Sequence, residues 1–464
     1  MEYRPTIGIE VHAELKTATK VFCSCKNDPD ERRPNIHICE VCLAHPGTLP
    51  VLNKEAVKHV LRVGAAIGGK LADFTEFDRK NYFYPDLPKG YQISQYKYPL
   101  VSGGMLNNVA ITRIHLEEDT ARSSHDKGGD TLVDFNRAGL PLMELVTEPV
   151  VHSAKEAGDF ARELQLLLRT LGVSDANMEK GEMRVEANIS VSKDPNSFGS
   201  KVEVKNLNSF RVVEKAVAYE IERQIKLLDE GGTVVQETRG WDEKGEKTFS
   251  QRVKESSHDY RYFPDPDVPK LKISEVAEFQ NIKETLPELP WEKRVRYKSL
   301  GLKDEDVEVY VRDSVFNNFF TEVVSLLNKD TKLIALASNY VTSDLVSYGD
   351  FGKLKAPLFV RLIQMTGEGL ISSRGAKEIL SILVREGGDP EAIAKNHNLL
   401  QKSDEGDLKT IVEKVIRENE KVVLEYKNGK ESVLQFLVGQ GMKASGGNAN
   451  PNVLADIFKK ELKK

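Results

Sequence analysis

Four cysteines form the tightest group of potential metal ligands in the chain. They are all the cysteines of the 464-residue sequence, and they form a C-x-C pair and a C-x-x-C pair, Cys23, Cys25, Cys39 and Cys42. Four thiolates at this spacing are typical of a closed tetrahedral zinc site, which leaves no position for a substrate. The spacing predicts a structural Zn²⁺ loop at residues 23–42. Free thiols are the alternative, because the cytosol disfavours disulfides.

A second group of reactive side chains lies in residues 77–96, which fit neither a helical nor a strand period. Bases, acids and tyrosines alternate there with prolines, which is typical of a shaped binding loop. The charged side chains suit phosphates and metal, and the rings suit a base or a sugar. The candidates are Arg79, Lys80, Tyr82, Tyr84, Asp86 and Lys89.

Alternation of apolar with charged residues predicts several strands whose polar faces could form one site. In residues 7–15 the odd positions are apolar, so Glu10, His12 and Glu14 share the other face. The same period recurs in four further runs. These runs carry Arg113 and His115, Glu144 and Glu148, Arg184 and Glu186, and Glu203 and Lys205.

Carboxylates from several strands, placed beside bases, would suit Mg²⁺, which prefers oxygen ligands and bridges to nucleotide phosphates. The bases would hold a transferred phosphoryl group, because such catalysis depends on positioning and charge stabilisation. A solvated sheet face would explain each strand alone, so the prediction rests on their combination. The candidate bases are Arg79, Lys80, Lys89, Arg113, Arg137, Arg184 and Lys205.

The length and composition of the whole chain limit the possible domain number, partners and location of the protein. Its length is too great for one ordinary core and predicts two or three domains. A net charge of −5 neither favours nor excludes RNA binding. No apolar run approaches the length of a membrane span and no leader is visible, so a cytoplasmic protein without a membrane partner is expected.

Six segments have long or unusual sequences: residues 8–12, 39–50, 77–96, 115–119, 202–210 and 258–264. Together they closely resemble the B subunits of tRNA-dependent amidotransferases, the GatCAB family, and the resemblance covers essentially the whole chain. It implies a translation enzyme that uses ATP to phosphorylate the side-chain carboxylate of a mischarged tRNA. The substrate is Glu-tRNA(Gln), Asp-tRNA(Asn) or both, and nothing local in the sequence separates them.

The resemblance also implies partners. Ammonia would displace the phosphate to form the amide, a carbon–nitrogen ligase reaction with glutamine as nitrogen donor. In this family the A subunit, which is a glutaminase, releases the ammonia and passes it through a channel, and the small C subunit joins A and B. A heterotrimer is expected, and the mischarging aminoacyl-tRNA synthetase is a further candidate partner.

The fold implied by the resemblance is α+β. Residues 1–290 would form an antiparallel-sheet cradle resembling the glutamine synthetase and guanido kinase fold. Residues 291–399 would form an all-α connector and residues 400–464 an all-α YqeY-like tail that binds tRNA. In that tail the candidate phosphate contacts are Lys443, Lys459, Lys460, Lys463 and Lys464, with a solvated helix face as the alternative for each.

The resemblance assigns residues to three roles. For Mg²⁺ they are Glu10, His12, Glu118, Glu144, Glu186 and Glu203. For catalysis they are Glu10, His12, Lys80, Tyr82, Lys89, Glu118, Arg184 and Lys205, and for ATP they are Arg79, Lys80, Lys89, Arg113 and Arg184. Strict alternation with His115 would instead turn Glu117 toward the site, so Glu118 requires a bulge or a shifted pleat.

Two rival functions leave parts of the sequence unexplained. A stand-alone ligase that uses free ammonia would have no need of the tail. A non-enzymatic tRNA-binding subunit would have no need of the paired acids and bases.

Overall fold

The computed structural model describes residues 2–28, 30–125, 129–194, 196–253, 260–401, 405–446 and 449–462. His258 and Asp259 of the sixth segment, and Lys463 and Lys464 of the tail, lie outside these residues. The chain divides into two compact units, Met1–Leu289 and Pro290–Lys464. We call them the sheet unit and the helical unit.

The sheet unit is built on one large sheet. Ten of its strands pair in the order β15-β14-β13-β12-β1-β11-β8-β6-β2, with β7 pairing to β8, and among these pairs only β13 and β14 run parallel. The smaller sheets are β16-β4-β5, β17-β3 and β10-β9. The strands are β1 Arg4–Glu14, β2 Lys70–Leu71, β3 Phe74–Thr75, β4 Asp78–Asn81, β5 Tyr91–Ser94, β6 Val101–Ser102, β7 Met105–Leu106, β8 Val109–Glu118, β9 Arg122–His125, β10 Thr131–Asp134, β11 Pro141–Thr147, β12 Met183–Ser192, β13 Val202–Leu207, β14 Glu237–Asp242, β15 Lys247–Val253, β16 Phe263–Pro264 and β17 Leu271–Lys272.

One face of the large sheet forms the core. Along β1 the apolar residues Ile7, Ile9 and Val11 are fully buried, as the alternation predicted. Three helices cover this face: α1 Lys54–Ala66, α2 Ala154–Leu171 and α3 Phe210–Asp229. The helix α2 begins where the Ser153 hydroxyl accepts from the Glu156 amide and ends at Gly172, whose φ of 66° suits glycine. Because the helices occupy the apolar face, the charged side chains are left on the other.

The sheet is antiparallel-rich and the second unit is helical, so the α+β class is confirmed. Three short 3₁₀ helices, Ile273–Glu275, Ala277–Phe279 and Ile282–Thr285, end the sheet unit. Its boundary at Leu289 lies beside the expected end of the cradle. The likeness to glutamine synthetase and guanido kinases stays a prediction.

The helical unit contains eleven described α-helices and one 3₁₀ helix, Leu345–Tyr348. The last four surround their own apolar cluster, which includes Leu408, Leu437 and Phe458. A domain boundary at residues 399 and 400 nevertheless stays a prediction. Among the described residues, no helix is long and apolar enough to cross a membrane. The helices are α4 Pro290–Ser299, α5 Asp304–Arg312, α6 Ser314–Leu326, α7 Thr331–Ser343, α8 Ala356–Gly367, α9 Ser373–Arg385, α10 Pro390–Asn396, α11 Glu405–Glu418, α12 Glu420–Lys427, α13 Val433–Ala444 and α14 Pro451–Leu462.

Candidate functional site

A row of acidic and histidine side chains crosses five neighbouring strands on the polar face of the sheet. The strand register produces it, because Glu144 lies opposite both His12 and His115, and Glu186 lies opposite Glu10. Residues opposite each other in antiparallel strands project from the same face. We call this set the carboxylate row: His115 and Glu117 on β8, Glu144 on β11, Glu10 and His12 on β1, Glu186 on β12 and Glu203 on β13.

Side chains of the row lie within reach of shared cations. The Nε2 atoms of His12 and His115 are 3.5 Å and 3.3 Å from the same Glu144 oxygen. Three trios of ligand atoms each lie within 4.8 Å of one another: Glu10, His12 and Glu144; His115, Glu117 and Glu144; Glu10, Glu186 and Glu203. Carboxylate oxygens with imidazole nitrogens suit a divalent cation such as Mg²⁺ or Mn²⁺, so the residues fit the predicted metal.

The side chains of the row shift one another's pKa values. Burial, and then the charge of Glu144, raise the pKa of Glu10 to about 7. Burial alone would lower the pKa of His12, but the contact with Glu144 and the charge of Glu186 raise it to about 10. Burial is likewise outweighed at His115, where the charge of Glu144 raises the pKa to about 9. Positive charge is therefore strongly favoured at this place.

Lys80 faces the row from β4, inside a wall of tyrosines. Its Nζ lies 5.2 Å from the ring centre of Tyr260 and 5.9 Å from that of Tyr82. Burial opposes its charge, but Glu117 and its neighbours raise the Lys80 pKa well above the usual value. Tyr262 continues the wall, 6.2 Å from Tyr260, centre to centre. No role was predicted for Tyr260 or Tyr262, since nothing local in the sequence brings them to Lys80, about 180 residues away.

Two arginines meet at a buried carboxylate beside the row. Asp119 accepts from Arg137 Nε at 2.8 Å and from Arg184 Nη2 at 3.3 Å. Arg137 Nε also lies 3.0 Å from Glu14 Oε1. Lys205, on the other side, lies 2.9 Å from Glu186. The bases thus surround the acids, as a site for anionic phosphates requires.

A cavity of about 530 Å³ joins the row to these bases. The predicted site residues that line it include Glu10, His12, Lys80, Tyr82, Arg184, Glu186 and Lys205, together with the candidates Tyr84, Asp86 and Arg137. Glu144 and Glu203 belong to the row, and Arg113 reaches its edge, with Nη2 3.5 Å from Glu144. Among the lining residues for which no role was predicted are Asp119, Arg122 and Asn206.

Glu118 does not lie in the row, contrary to the prediction. The pairing of β8 with β11 is regular from Arg113 to Glu118, so no bulge intervenes and alternation turns Glu117 to the row. Glu118 projects from the opposite face. Its carboxylate accepts from Lys89 Nζ at 2.6 Å and from the Ile93 amide at 2.8 Å. Lys89 is therefore also away from the row, and both line a separate cavity of about 250 Å³ beside Cys23 and Cys42.

Arg79 is the third predicted residue that the structure places elsewhere. Side chains alternate along β4, so Arg79 points away from the side occupied by Lys80. Its guanidinium lies 2.7 Å from Asp265 and 2.8 Å from Asp267, over the ring of Tyr91. Glu148 likewise lies beyond the end of β11, where it accepts from the Thr112 hydroxyl. Neither lines the cavity.

The four cysteines converge, as their spacing predicted. Their sulfurs all lie within 4.8 Å of one another, and the Cys39 amide lies 3.2 Å from Cys42 Sγ. The fully buried Lys20 places Nζ 3.7 Å from the same sulfur. The hydrogen bond from Cys23 and the charge of Lys20 lower the pKa of Cys42 to about 4, against the effect of burial. The donor set fits a structural zinc ion.

In the helical unit, the candidate lysines lie at helix ends. Lys443 is in the last turn of α13, and Lys459 and Lys460 are in the last turn of α14. All three are exposed. Exposure permits phosphate contacts, but no further feature of the described residues singles these lysines out.

Known proteins resemble this chain over its full length. Residues 5–278 match the family model of the GatB/GatE catalytic domain, and residues 311–462 match that of the GatB domain. The B subunit of the aspartyl/glutamyl-tRNA(Asn/Gln) amidotransferase of Persephonella marina is 44% identical over all of both chains. The B subunits of the same name from Thermodesulfovibrio yellowstonii and Crocosphaera subtropica are 43% and 42% identical, over at least 98% of each chain.

Proposed function

Because the chain belongs to the GatB family of aspartyl/glutamyl-tRNA(Asn/Gln) amidotransferase B subunits, we propose that its sheet unit carries the ATP-dependent activation of a carboxylate on tRNA. Family membership makes the chain part of a carbon–nitrogen ligase that acts in translation. The observation that supports activation in this chain is the carboxylate row, four of whose residues line one cavity with Lys80 and Arg184. A passive tRNA-binding protein would have no use for such a cluster.

The reaction consists of two displacements. An oxygen of the substrate carboxylate attacks the γ-phosphorus of ATP, and ADP leaves with the electrons of the broken P–O bond. Ammonia then attacks the acyl carbon, and phosphate leaves as the amide forms. The first displacement makes the second feasible, because a carboxylate oxygen is a poor leaving group until it is phosphorylated.

The residues of the cavity divide this work. Lys80, Arg184 and Lys205 would orient the phosphates and balance their charge. Tyr82 would shape the wall that receives the aminoacylated end of the tRNA. The residues that would hold Mg²⁺ are Glu10, His12, Glu144, Glu186 and Glu203, with Glu117 in place of Glu118. Bound there, the cation would neutralise charge on the phosphates during transfer.

Other parts of the chain would support the complex. The cysteine loop would hold a structural Zn²⁺, and the exposed lysines of α13 and α14 would contact tRNA phosphates. The glutaminase of the complex, its A subunit, would supply the ammonia, and its small C subunit would join the other two chains. The stand-alone ligase is the weaker alternative, because the helical unit also matches the amidotransferase family.

The test is ATP-dependent amidation of Glu-tRNA(Gln) by the reconstituted complex, with ammonium chloride as nitrogen source. We compare wild type with Glu10→Gln, which keeps the shape of the side chain but removes its charge. We expect at least a hundredfold loss of amidation with tRNA affinity nearly unchanged. Glu148→Gln, outside the cavity, is the matched control and should keep full activity. Equal activity of Glu10→Gln and wild type would move the chemistry to another chain of the complex.

A further inference from the structure

The segment of residues 134–139 joins the cysteine loop to the cavity of the carboxylate row. The N-terminal part of the segment is hydrogen-bonded to the cysteine loop, and Arg137 of the segment lines the cavity. Arg137 also lines a second cavity of about 470 Å³, so it borders both cavities. The position of Arg137 is therefore set by whatever holds this segment.

The side chain of Asn136 makes three of the hydrogen bonds that join the segment to the cysteine loop. Its side-chain oxygen accepts from the amides of Ile36 and His37 at 2.7 Å and 2.8 Å. Its side-chain nitrogen donates to the Arg33 carbonyl at 2.8 Å. The side chain is buried, so water does not replace these bonds readily. One side-chain amide thus makes three hydrogen bonds to the part of the loop between Cys25 and Cys39.

Further contacts repeat the same connection at the two residues that precede Asn136. Lys20 Nζ, beside Cys42, donates to the Phe135 carbonyl at 3.1 Å. The Asn35 amide donates to Asp134 Oδ1 at 3.0 Å. The segment is therefore attached to the cysteine loop before Arg137, whereas Arg137 itself is held by Glu14 and Asp119 of the sheet.

We propose that Asn136 is a positioning residue, through which the cysteine loop holds Arg137 at the cavity so that its guanidinium meets the phosphates of the nucleotide. This inference rests on the proposed function, because it takes ATP to be the ligand of the cavity. Asn136 acts only through Arg137. The cysteine loop thereby contributes to nucleotide affinity although none of its sulfurs lines the carboxylate-row cavity.

The test is a double-mutant cycle in the reconstituted complex, with Asn136→Ala, Arg137→Ala and both together. The readouts are KM for ATP and kcat in ammonia-dependent amidation, with Kd for a non-hydrolysable ATP analogue in the presence of Mg²⁺. Zinc content and the melting temperature report on the cysteine loop. The matched control is Asn27→Ala, which also removes two amide hydrogen bonds, to Leu15 and Thr17, but none to the segment.

Asn136→Ala should raise KM and Kd for the nucleotide about tenfold, with kcat within about threefold of wild type, because a charge-assisted contact is weakened rather than removed. In the Arg137→Ala background the same change should add less than about twofold. Asn27→Ala should leave KM unchanged. Hydrogen exchange of residues 131–140 should rise in Asn136→Ala, while that of β1 does not.

An unchanged KM in Asn136→Ala, or effects that multiply in the double mutant, would overturn the proposal. If Asn136→Ala loses zinc or stability, Asn136→Asp takes its place in the cycle, since it keeps the oxygen that accepts from Ile36 and His37. The same dependence on Arg137 is then required. A wild-type complex that binds no nucleotide would instead refute the proposed function, so the two failures are distinguishable.

Discussion

The adjacent residues Glu117 and Glu118 offer the sharpest test of the site, because the family pattern and the structure disagree about them. In the structure Glu117 Oε2 accepts from the Ser94 hydroxyl at 2.9 Å and belongs to the row, whereas Glu118 pairs with Lys89 on the other face. Substitution by glutamine keeps the shape of each side chain and removes one charge. The two variants should therefore fail in different ways.

The expected magnitudes follow from burial and distance. A carboxylate about 4 Å from a divalent cation interacts with it by about 8 kcal/mol at an effective dielectric constant of 20, twice the value for two unit charges. Glutamine can still offer its carbonyl oxygen, so we expect Glu117→Gln to lose about a quarter of this, or roughly 30-fold in divalent affinity. Glu117→Gln should also lower the free energy of unfolding, because the Glu117 charge is held by His115 and Lys80, so Mn²⁺ affinity is the readout that separates the two variants. Glu118→Gln instead leaves the nearly buried Lys89 unpaired, which should cost about 2–3 kcal/mol of unfolding free energy.

The assays are Mn²⁺ titration, followed by electron paramagnetic resonance, and urea unfolding of each metal-free variant. Glu118→Gln should keep wild-type Mn²⁺ affinity below its unfolding transition. The reasoning is refuted if Glu118→Gln weakens Mn²⁺ binding as much as Glu117→Gln does. It is also refuted if Glu117→Gln binds Mn²⁺ like wild type, because the row would then not be the cation site.

Three further predictions concern the row, the cysteine loop and the tail. Because the pKa values of Glu10 and His12 are raised, a cation must displace protons from them, so Mn²⁺ affinity should rise between about pH 6 and pH 9. Calorimetry in buffers of different ionisation enthalpy should detect the released protons, and binding heats that do not depend on the buffer would contradict this. Lys20→Met should weaken zinc binding by about tenfold in competition with a chelator, because the sulfurs lose a buried counter-charge; wild-type zinc affinity would show that this charge is not needed. Lys443→Ala combined with Lys459→Ala should reduce the slope of log tRNA affinity against log salt by about one unit per lost phosphate contact; an unchanged slope would assign both lysines to solvated helix faces.

Local sequence period was sufficient to predict much of the sheet. The alternation in residues 7–15 correctly assigned the core face of β1, and with it Glu10 and His12 to the polar face. The same rule favoured Glu117, which lies in the row in the structure, whereas Glu118 does not. The alternation of apolar and charged residues is predictive here because one face of each long strand is buried under helices. Only one strand register then buries the apolar side chains and leaves the charged ones on the other face.

Contacts between distant segments were not predictable in this way. Arg79 and Lys80 are neighbours in a four-residue strand, too short for its period to be recognised. Their environments depend on Asp265 and Tyr260, nearly two hundred residues away. Lys89 was assigned to phosphate as one of the charged side chains of residues 77–96, and its pairing with Glu118 was not visible in the sequence. Pairing partners of charged side chains thus follow from the tertiary fold and not from residue type.

The central position of β1 in the sheet has a consequence for biosynthesis. Its two neighbours, β11 and β12, end at Thr147 and Ser192, so the strand that carries Glu10 and His12 cannot complete its hydrogen bonds until more than 175 further residues have been made. At about 5–20 residues per second this takes roughly 10–40 seconds on the ribosome. During that interval an apolar, unpaired strand is exposed, which favours aggregation. The nascent chain should therefore depend on chaperones until β12 emerges.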